Sequence, residues 1–343
     1  MGVKQNISMA YSSARALLYF VESLPLPYID SVITKNTLDI EKPPIQVQKE
    51  IIERARDLLL EDSKDFENGY FGLDSLIGES KKLHFYRWAK VLVDAVELSF
   101  RKKSKNHKSF SAEATELLEG LPEYYQRNFH FQKDGYLSDE SAEIYDHQVE
   151  LLFKGTADPM RRMVIRPLKN HFPHDGTGLK ILDVACGAGS STRWIRSAYP
   201  RAHITGIDLS LPYLSEAKSR FKDSNHMEFI HGKAESLPFN DGEYDIVTSV
   251  FLFHELPKVV RSKVIEESLR VLKPHGMISF VDSIQLHDAP ELEWSLKQFP
   301  KEFHEPFYGD YIKSPLEDLV DASGAQNVSK RTGFYSKSVS AYK

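Results

Sequence analysis

The chain has 343 residues, 41% of them hydrophobic and 27% charged, which is the composition of a folded globular protein and excludes collagenous, low-complexity and largely disordered chains. Lys and Arg number 44 against 49 Asp and Glu, a formal charge of −5, so no overall positive field favours nucleic acid or an anionic surface. The single cysteine, Cys186, excludes an internal disulfide and a cysteine-based zinc site and fits a reducing compartment.

Length predicts about two domains. Apolar runs such as Ala16 to Val21 fall short of the ~18–20 residues a spanning helix needs, so no membrane span is expected. The first twenty residues lack the pattern of a secretory signal, and a cytoplasmic location is the expectation. Residues 1–170 are predicted as a helical N-terminal domain, because apolar residues recur at three- and four-residue steps. Ile51, Ile52, Ala55, Leu58 and Leu59 form one such face after Pro43 and Pro44, and Phe85, Trp88, Ala89, Leu92, Ala95, Val96 and Ser99 form another. The basic run Arg101, Lys102, Lys103, Lys105, Lys108 fits a solvated helix end better than a nucleic-acid contact.

From Lys180 the period changes. Apolar runs at Ile181–Val184, Ile204–Ile207, Phe229–Ile230, Ile246–Phe253 and Met277–Val281 alternate with helix-length segments, which predicts a parallel sheet with crossover helices over residues 171–343. A helix is expected between Pro257 and Pro274, stopped by Pro274 and Gly276. Val328–Arg331 and Ser338–Tyr342, around Gly333, are expected to close the sheet as a hairpin.

Three stretches carry chemistry. Ile181 to Thr192 reads as a strand, a Gly-x-Gly turn at Gly187 and Gly189, and a helix start. Thr192 stands where a dinucleotide fold usually has a third glycine, which weakens an NAD reading. Asp208 ends the next strand, nineteen residues after Gly189, where a carboxylate can accept bonds from both ribose hydroxyls or cap the helix opened by Ser210-Leu211-Pro212. The third stretch is His231-Gly232-Lys233-Ala234-Glu235-Ser236-Leu237-Pro238, followed by Asp241 to Val247 and the apolar strand into His254-Glu255.

With these stretches, residues from about 178 to 285 resemble a class I S-adenosylmethionine-dependent methyltransferase, of the type that includes the quinone-biosynthesis C-methyltransferases. The resemblance implies a Rossmann-like, seven-stranded α/β sheet with helices on both faces, preceded here by the helical extension. It also implies S-adenosylmethionine as cofactor. Carried over, Asp183, Gly187 and Gly189 serve the methionine end, Asp208 and Leu209 the ribose, and Ala234 and Glu235 the adenine, with Ser249 on the fourth strand beside them. Lys233 departs from the family, which usually has an Asp there, and lysine accepts no bond from the adenine amino group.

Sulfonium methyl transfer needs alignment and water exclusion more than a covalent nucleophile. His254 is the candidate base, against the plainer reading of a histidine bonded to backbone, and Glu255 is either its neighbour in catalysis or a first-turn acid of the next helix. Tyr124 to Gln132, then Tyr136 and Tyr145, gather rings that either roof a pocket or pack the helices onto the sheet. Arg161, with Arg162, can bind a carboxylate or sit on the surface. Phe299 to Tyr311 is expected to cap an acceptor pocket, with His304, Glu305 and Tyr308 as candidates there and no metal site. The resulting expectation is methyl transfer to oxygen or carbon of a small, largely apolar or aromatic acceptor. The alternatives are a nucleic-acid methyltransferase and a cofactor-binding module without turnover.

Overall fold

The computed structural model describes residues 2–34, 43–72 and 80–343. The N-terminal region holds α1 (Val3–Ser23), α2 (Pro25–Thr34), α3 (Ile45–Glu67), α4 (Lys81–Ser104) and α5 (Ala112–Leu117). After two short 3-10 turns come α6 (Asp139–Leu152), α7 (Ala157–Arg162) and α8 (Ile165–His171). The starts of α4 and α6 follow the capping rule: Ser80 accepts from the Leu83 amide at 3.3 Å and Ser138 from the Ser141 amide at 3.1 Å. The two predicted apolar faces fall in α3 and α4. The basic run closes α4, but only part of it is solvated, since Lys102 is buried against Asp30 at 3.1 Å.

The remainder alternates as expected: β1 (Lys180–Val184), α9 (Thr192–Ala198), β2 (His203–Asp208), α10 (Leu211–Arg220), β3 (Met227–His231), β4 (Tyr244–Val250), α11 (Lys258–Val271) and β5 (Leu272–Ser283). Then follow α12 (Glu293–Glu302), α13 (Tyr308–Tyr311), α14 (Leu316–Ala322), β6 (Gln326–Gly333) and β7 (Ser336–Tyr342). α11 ends three residues before Pro274, because Leu272 already pairs with Tyr244; Pro274 and Gly276 lie inside β5.

The seven strands run in the order β3-β2-β1-β4-β5-β7-β6, parallel except for the antiparallel β7 that returns between β5 and β6. Strand order reverses between β1 and β4, and a crevice opens beyond the carboxyl ends of strands at such a switch point. Ile181, Leu182, Val184, Ile246 and Val247 are fully buried, so β1 and β4 are covered on both faces as a parallel sheet requires. The two main cores include Val47, Leu58 and Phe66 of α3, so the helical region is packed into the sheet rather than beside it.

One stretch matches a spanning helix in length and composition alone. Among the described residues, Val3–Thr34 is long and apolar enough to cross a bilayer by length and composition, and only 11% of the qualifying window is buried. Arg15 and Glu22 interrupt its apolar residues. Both are tied to the protein: Arg15 donates to the Gly155 carbonyl at 3.0 Å and pairs with Glu150 at 2.9 Å, and Glu22 meets His84 at 2.8 Å.

Candidate active site

Ala185, just after β1, has φ 55°, and Gly187 follows at φ 53°, so the chain turns sharply out of the sheet before α9. The turn is held by its neighbours. The Cys186 amide donates to the Ile207 carbonyl at 3.1 Å, and the Gly187 amide donates to Asp208 Oδ2 at 2.8 Å. Asp208 Oδ1 accepts from the Ser210 amide, also at 2.8 Å, so two backbone donors fix the carboxylate at the tip of β2. Burial still raises the pKa of this group above the usual carboxylate value. Ser210, not Asp208, caps α10, accepting from the Tyr213 amide at 3.1 Å. The cap reading of Asp208 is thereby displaced, and Asp208 lines the cleft.

That cleft is lined by Gly187, Ser190, Ser191, Asp208, Leu209 and Ala234 on the sheet side and by Tyr124, Tyr125, Phe129, Tyr136, Tyr145 and Tyr213 on the other. The rings form one cluster: Tyr136 stacks on Phe129 at 5.5 Å and meets Tyr213 edge-on at 5.4 Å and Tyr145 at 6.0 Å. They both pack the helices onto the sheet and wall the cleft, so the two readings of this aromatic stretch hold together. Ring faces there can stabilise a sulfonium charge by about 0.5–2 kcal/mol.

Four predicted cofactor residues stand behind the wall rather than in it. Asp183 is buried, accepting from Thr192 Oγ1 at 2.6 Å and Thr248 Oγ1 at 2.9 Å, and burial raises its pKa to about 6. It braces β1, β4 and the start of α9. Gly189 faces α10, where a Cβ would meet the Phe221 ring at 2.7 Å, so packing and its φ of 77° require glycine there. Ser249 donates to the Val184 carbonyl at 2.9 Å. Glu235 accepts from Tyr124 Oη at 2.9 Å and does not line the cleft, whereas Ala234 and Leu209 do.

Arg161 is buried, not on the surface. It is held among Asp158 at 3.0 Å, Asp146 at 3.4 Å and Glu150 at 3.7 Å, and these carboxylates together hold its charge against burial. Its Nη2 has no hydrogen-bond partner and lies in the wall of the cleft near Ser190, whose hydroxyl is bound by Asp146. A buried guanidinium beside the glycine turn, with no hydrogen bond at Nη2, suits a carboxylate, and Asp208 in the same cleft suits a diol. The residues present therefore fit S-adenosylmethionine.

A second cavity of about 480 Å³ adjoins the cleft; Tyr145, Phe251 and Glu255 line both. Phe251 sits at φ 61° at the end of β4, a left-handed position for a bulky residue. The cavity is walled by His254, Ser283, Trp294, Phe299, Phe303 and Tyr308, so the segment after β5 caps it with rings as expected. His254 Nδ1 meets Asp282 Oδ1 at 2.7 Å, and Asp282 Oδ2 accepts from the Phe253 amide at 2.7 Å. Burial pulls the His254 pKa down, but Asp282, with Glu305 and Glu255, outweighs it and lifts it to about 9. Its partner is thus a carboxylate and not backbone. Glu255 lies in a 3-10 turn ahead of α11 and accepts from Tyr136 Oη at 2.5 Å, so it is not a first-turn acid of α11. Tyr308 shares a bond of 2.9 Å with Ser283.

His304 lies elsewhere. It stacks on His107 at 4.2 Å, lines neither cavity, and burial with neighbouring cations lowers its pKa to about 4. The functional group at that end is His130, one ring in the aromatic stretch with no role assigned from sequence. It sits at φ 54° with Nδ1 2.8 Å from Glu305 and Nε2 3.3 Å from Glu255. Burial opposes its charge, yet Glu305 and Glu255 raise its pKa to about 10. Only tertiary contact between residues 130 and 305 reveals this clamp; the unusual His-Glu pair at 304–305 was the one available signal. His130, Glu255 and Glu305 are close enough to share an ion, as are Glu22, His84 and His147, and His287, Asp288 and Glu317.

Comparison with known proteins decides the class. A methyltransferase-domain family profile matches residues 181–276. A demethylmenaquinone methyltransferase of Lactococcus lactis is 30% identical over 175 residues, 47% of this chain and 67% of that protein. The chain belongs to the class I S-adenosylmethionine-dependent methyltransferases. An uncharacterized methyltransferase of Synechocystis is 33% identical over 45% of this chain and 69% of its own length. The demethylmenaquinone methyltransferase of Thermotoga maritima is 34% identical, with 43% and 59% covered. The matching part of this methyltransferase is thus under half of the chain, and the N-terminal helices and the acceptor side fall largely outside the profile.

Proposed function

We propose that this methyltransferase transfers a methyl group to a ring hydroxyl, or to the ring carbon beside it, of a small aromatic acceptor such as a demethylated quinol. The observation that carries the reading is His254, backed by Asp282 at 2.7 Å and facing an apolar cavity that meets the cofactor cleft at Glu255. The relatives named for demethylmenaquinone methylation support the acceptor class.

S-adenosylmethionine supplies, when bound, a methyl group on an electrophilic sulfonium. Asp208 holds the ribose, Arg161 Nη2 the methionine carboxylate, and the Gly187 turn lets the backbone approach. Neutral His254 takes the acceptor's phenolic proton at Nε2, while Asp282 holds the ring and balances the imidazolium that forms. Loss of that proton makes the oxygen nucleophilic and, by conjugation, the adjacent ring carbon. Aromatic walls exclude water, and alignment behind the methyl can contribute roughly 7–11 kcal/mol. His130 keeps Glu255 and Glu305 paired inside the wall. Both of its nitrogens then face carboxylates, and the proposed reaction assigns no metal to that cluster.

The test is incubation of the purified enzyme with S-adenosylmethionine and, separately, a demethylated naphthoquinol and an RNA mixture. A product of the quinol heavier by one methylene unit, seen by mass spectrometry, is expected. Methylation of RNA alone would overturn the reading.

A further inference from the structure

The N-terminal helices are amphipathic the wrong way round. α1 buries mostly polar residues, Gln5, Ser8, Ser12 and Ser23 beside Tyr19, and engages Arg15 and Glu22 inward. Its opposite face presents Leu17, Phe20, Val21 and Leu24, each half exposed or more. α4 does the same: Arg87, Ser99 and Lys102 are buried while Phe85, Val93 and Phe100 are 57–68% exposed. The two helices are joined by the Trp88 indole donating to the Glu22 carbonyl at 3.1 Å, and α2 packs along α4 with Tyr28 exposed. A soluble surface rarely exposes so much apolar area in one region. Its ends are basic: Lys81 and Lys82 open α4, and Lys103, Lys105 and Lys108 close it, all exposed.

Beneath this face lies a third cavity of about 750 Å³, between α2, α4 and α6, lined by Leu26, Pro27, Val91, Ala95, Leu98 and Leu152 among others. His130, Tyr145, Val149 and Phe303 line both it and the acceptor cavity. The apolar face therefore overlies a space that abuts the site of methyl transfer.

We propose that the outer face of α1, α2 and α4 docks on an anionic lipid bilayer, and that an amphipathic acceptor passes from the lipid through this third cavity to His254. Apolar side chains enter the acyl boundary while the flanking lysines meet lipid phosphates, the arrangement of an interfacial helix rather than a spanning one. The net charge of −5 does not oppose this, since a local patch and not the total charge acts within a Debye length of about 10 Å. The inference extends the acceptor reading above, and its test separates the two.

Flotation of the full chain with phosphatidylcholine vesicles containing about 30% phosphatidylglycerol should show partitioning at least about tenfold stronger than with phosphatidylcholine alone at ~0.1 M salt. Phe20→Glu with Val93→Glu should abolish that binding, and Lys103→Glu with Lys105→Glu should remove the preference for anionic lipid. Turnover of a water-soluble, tail-less naphthoquinol should be unchanged in both variants. A chain that ignores vesicles while turning over the soluble acceptor overturns docking and leaves the acceptor reading intact. A dimer that Phe20→Glu with Val93→Glu dissociates, with no vesicle binding, also overturns it and gives the face to a second copy of the chain.

Discussion

The cofactor cleft and the acceptor cavity are built by opposite strategies. The cleft's sheet-side wall comes from Ala185 to Leu256, the carboxyl ends of adjacent strands, and its key carboxylate is fixed by two backbone amides. The acceptor cavity draws on Ile51, His130, Tyr145, His254, Trp294 and Tyr335, spread over most of the chain. Local backbone geometry can hold a nucleotide-like ligand whose shape never changes. Selecting an acceptor falls to side chains brought together from elements that vary independently.

The sharpest break of this comparison is on the acceptor side. His254→Ala should lower kcat by about 10²–10⁴, the range of a positioned base, while cofactor affinity measured by calorimetry changes less than about threefold. Equal losses in both would make His254 a structural residue. Asp208→Ala should act on the other region alone, weakening S-adenosylmethionine binding roughly 10–100-fold, as expected for a charged hydrogen bond of about 1.5–3 kcal/mol. An unchanged affinity would remove the ribose assignment.

The pH profile comes next in size. Because His254 must be neutral to accept a proton and its pKa is lifted to about 9, kcat/KM should rise with pH through 7 and 8 and level above about 9. In Asp282→Asn the largest raising charge is gone while burial and the weaker pull of Glu305 and Glu255 remain, so the plateau should begin at lower pH with a smaller maximum. The same shift has a stability consequence: the His254–Asp282 pair contributes fully below its ordinary pKa of 6.5 and loses that contribution as pH climbs through about 9. The smallest effect is an expected null, since exhaustive dialysis against EDTA should leave turnover unchanged. A loss restored only by a divalent ion would place a metal among His130, Glu255 and Glu305.

The alternation of apolar runs from Lys180, the Gly-x-Gly turn and the strand-ending Asp208 were legible because each is local: period, turn and tip lie within a few residues. Gly189 and Asp183 were legible as important but not in their roles, because whether a residue faces ligand or packs behind the loop depends on Phe221 and Thr248 across the fold. His130 escaped because its position follows from a left-handed backbone and a partner 175 residues away. His304 drew attention in its place by adjacency to Glu305, yet the neighbouring side chain points to His107.

The sequence determined the alternation of strands and helices and the glycine turn, since hydrophobic period and glycine act over short range and leave the backbone little choice, and the cofactor class followed from the family resemblance those stretches carry. Tertiary structure alone decided which histidine has a carboxylate behind it, which arginine is buried in the cleft wall and which faces of the N-terminal helices stay uncovered. Those outcomes depend on burial and on charge pairs between distant residues, where a displacement of an ångström or two changes a proton's owner.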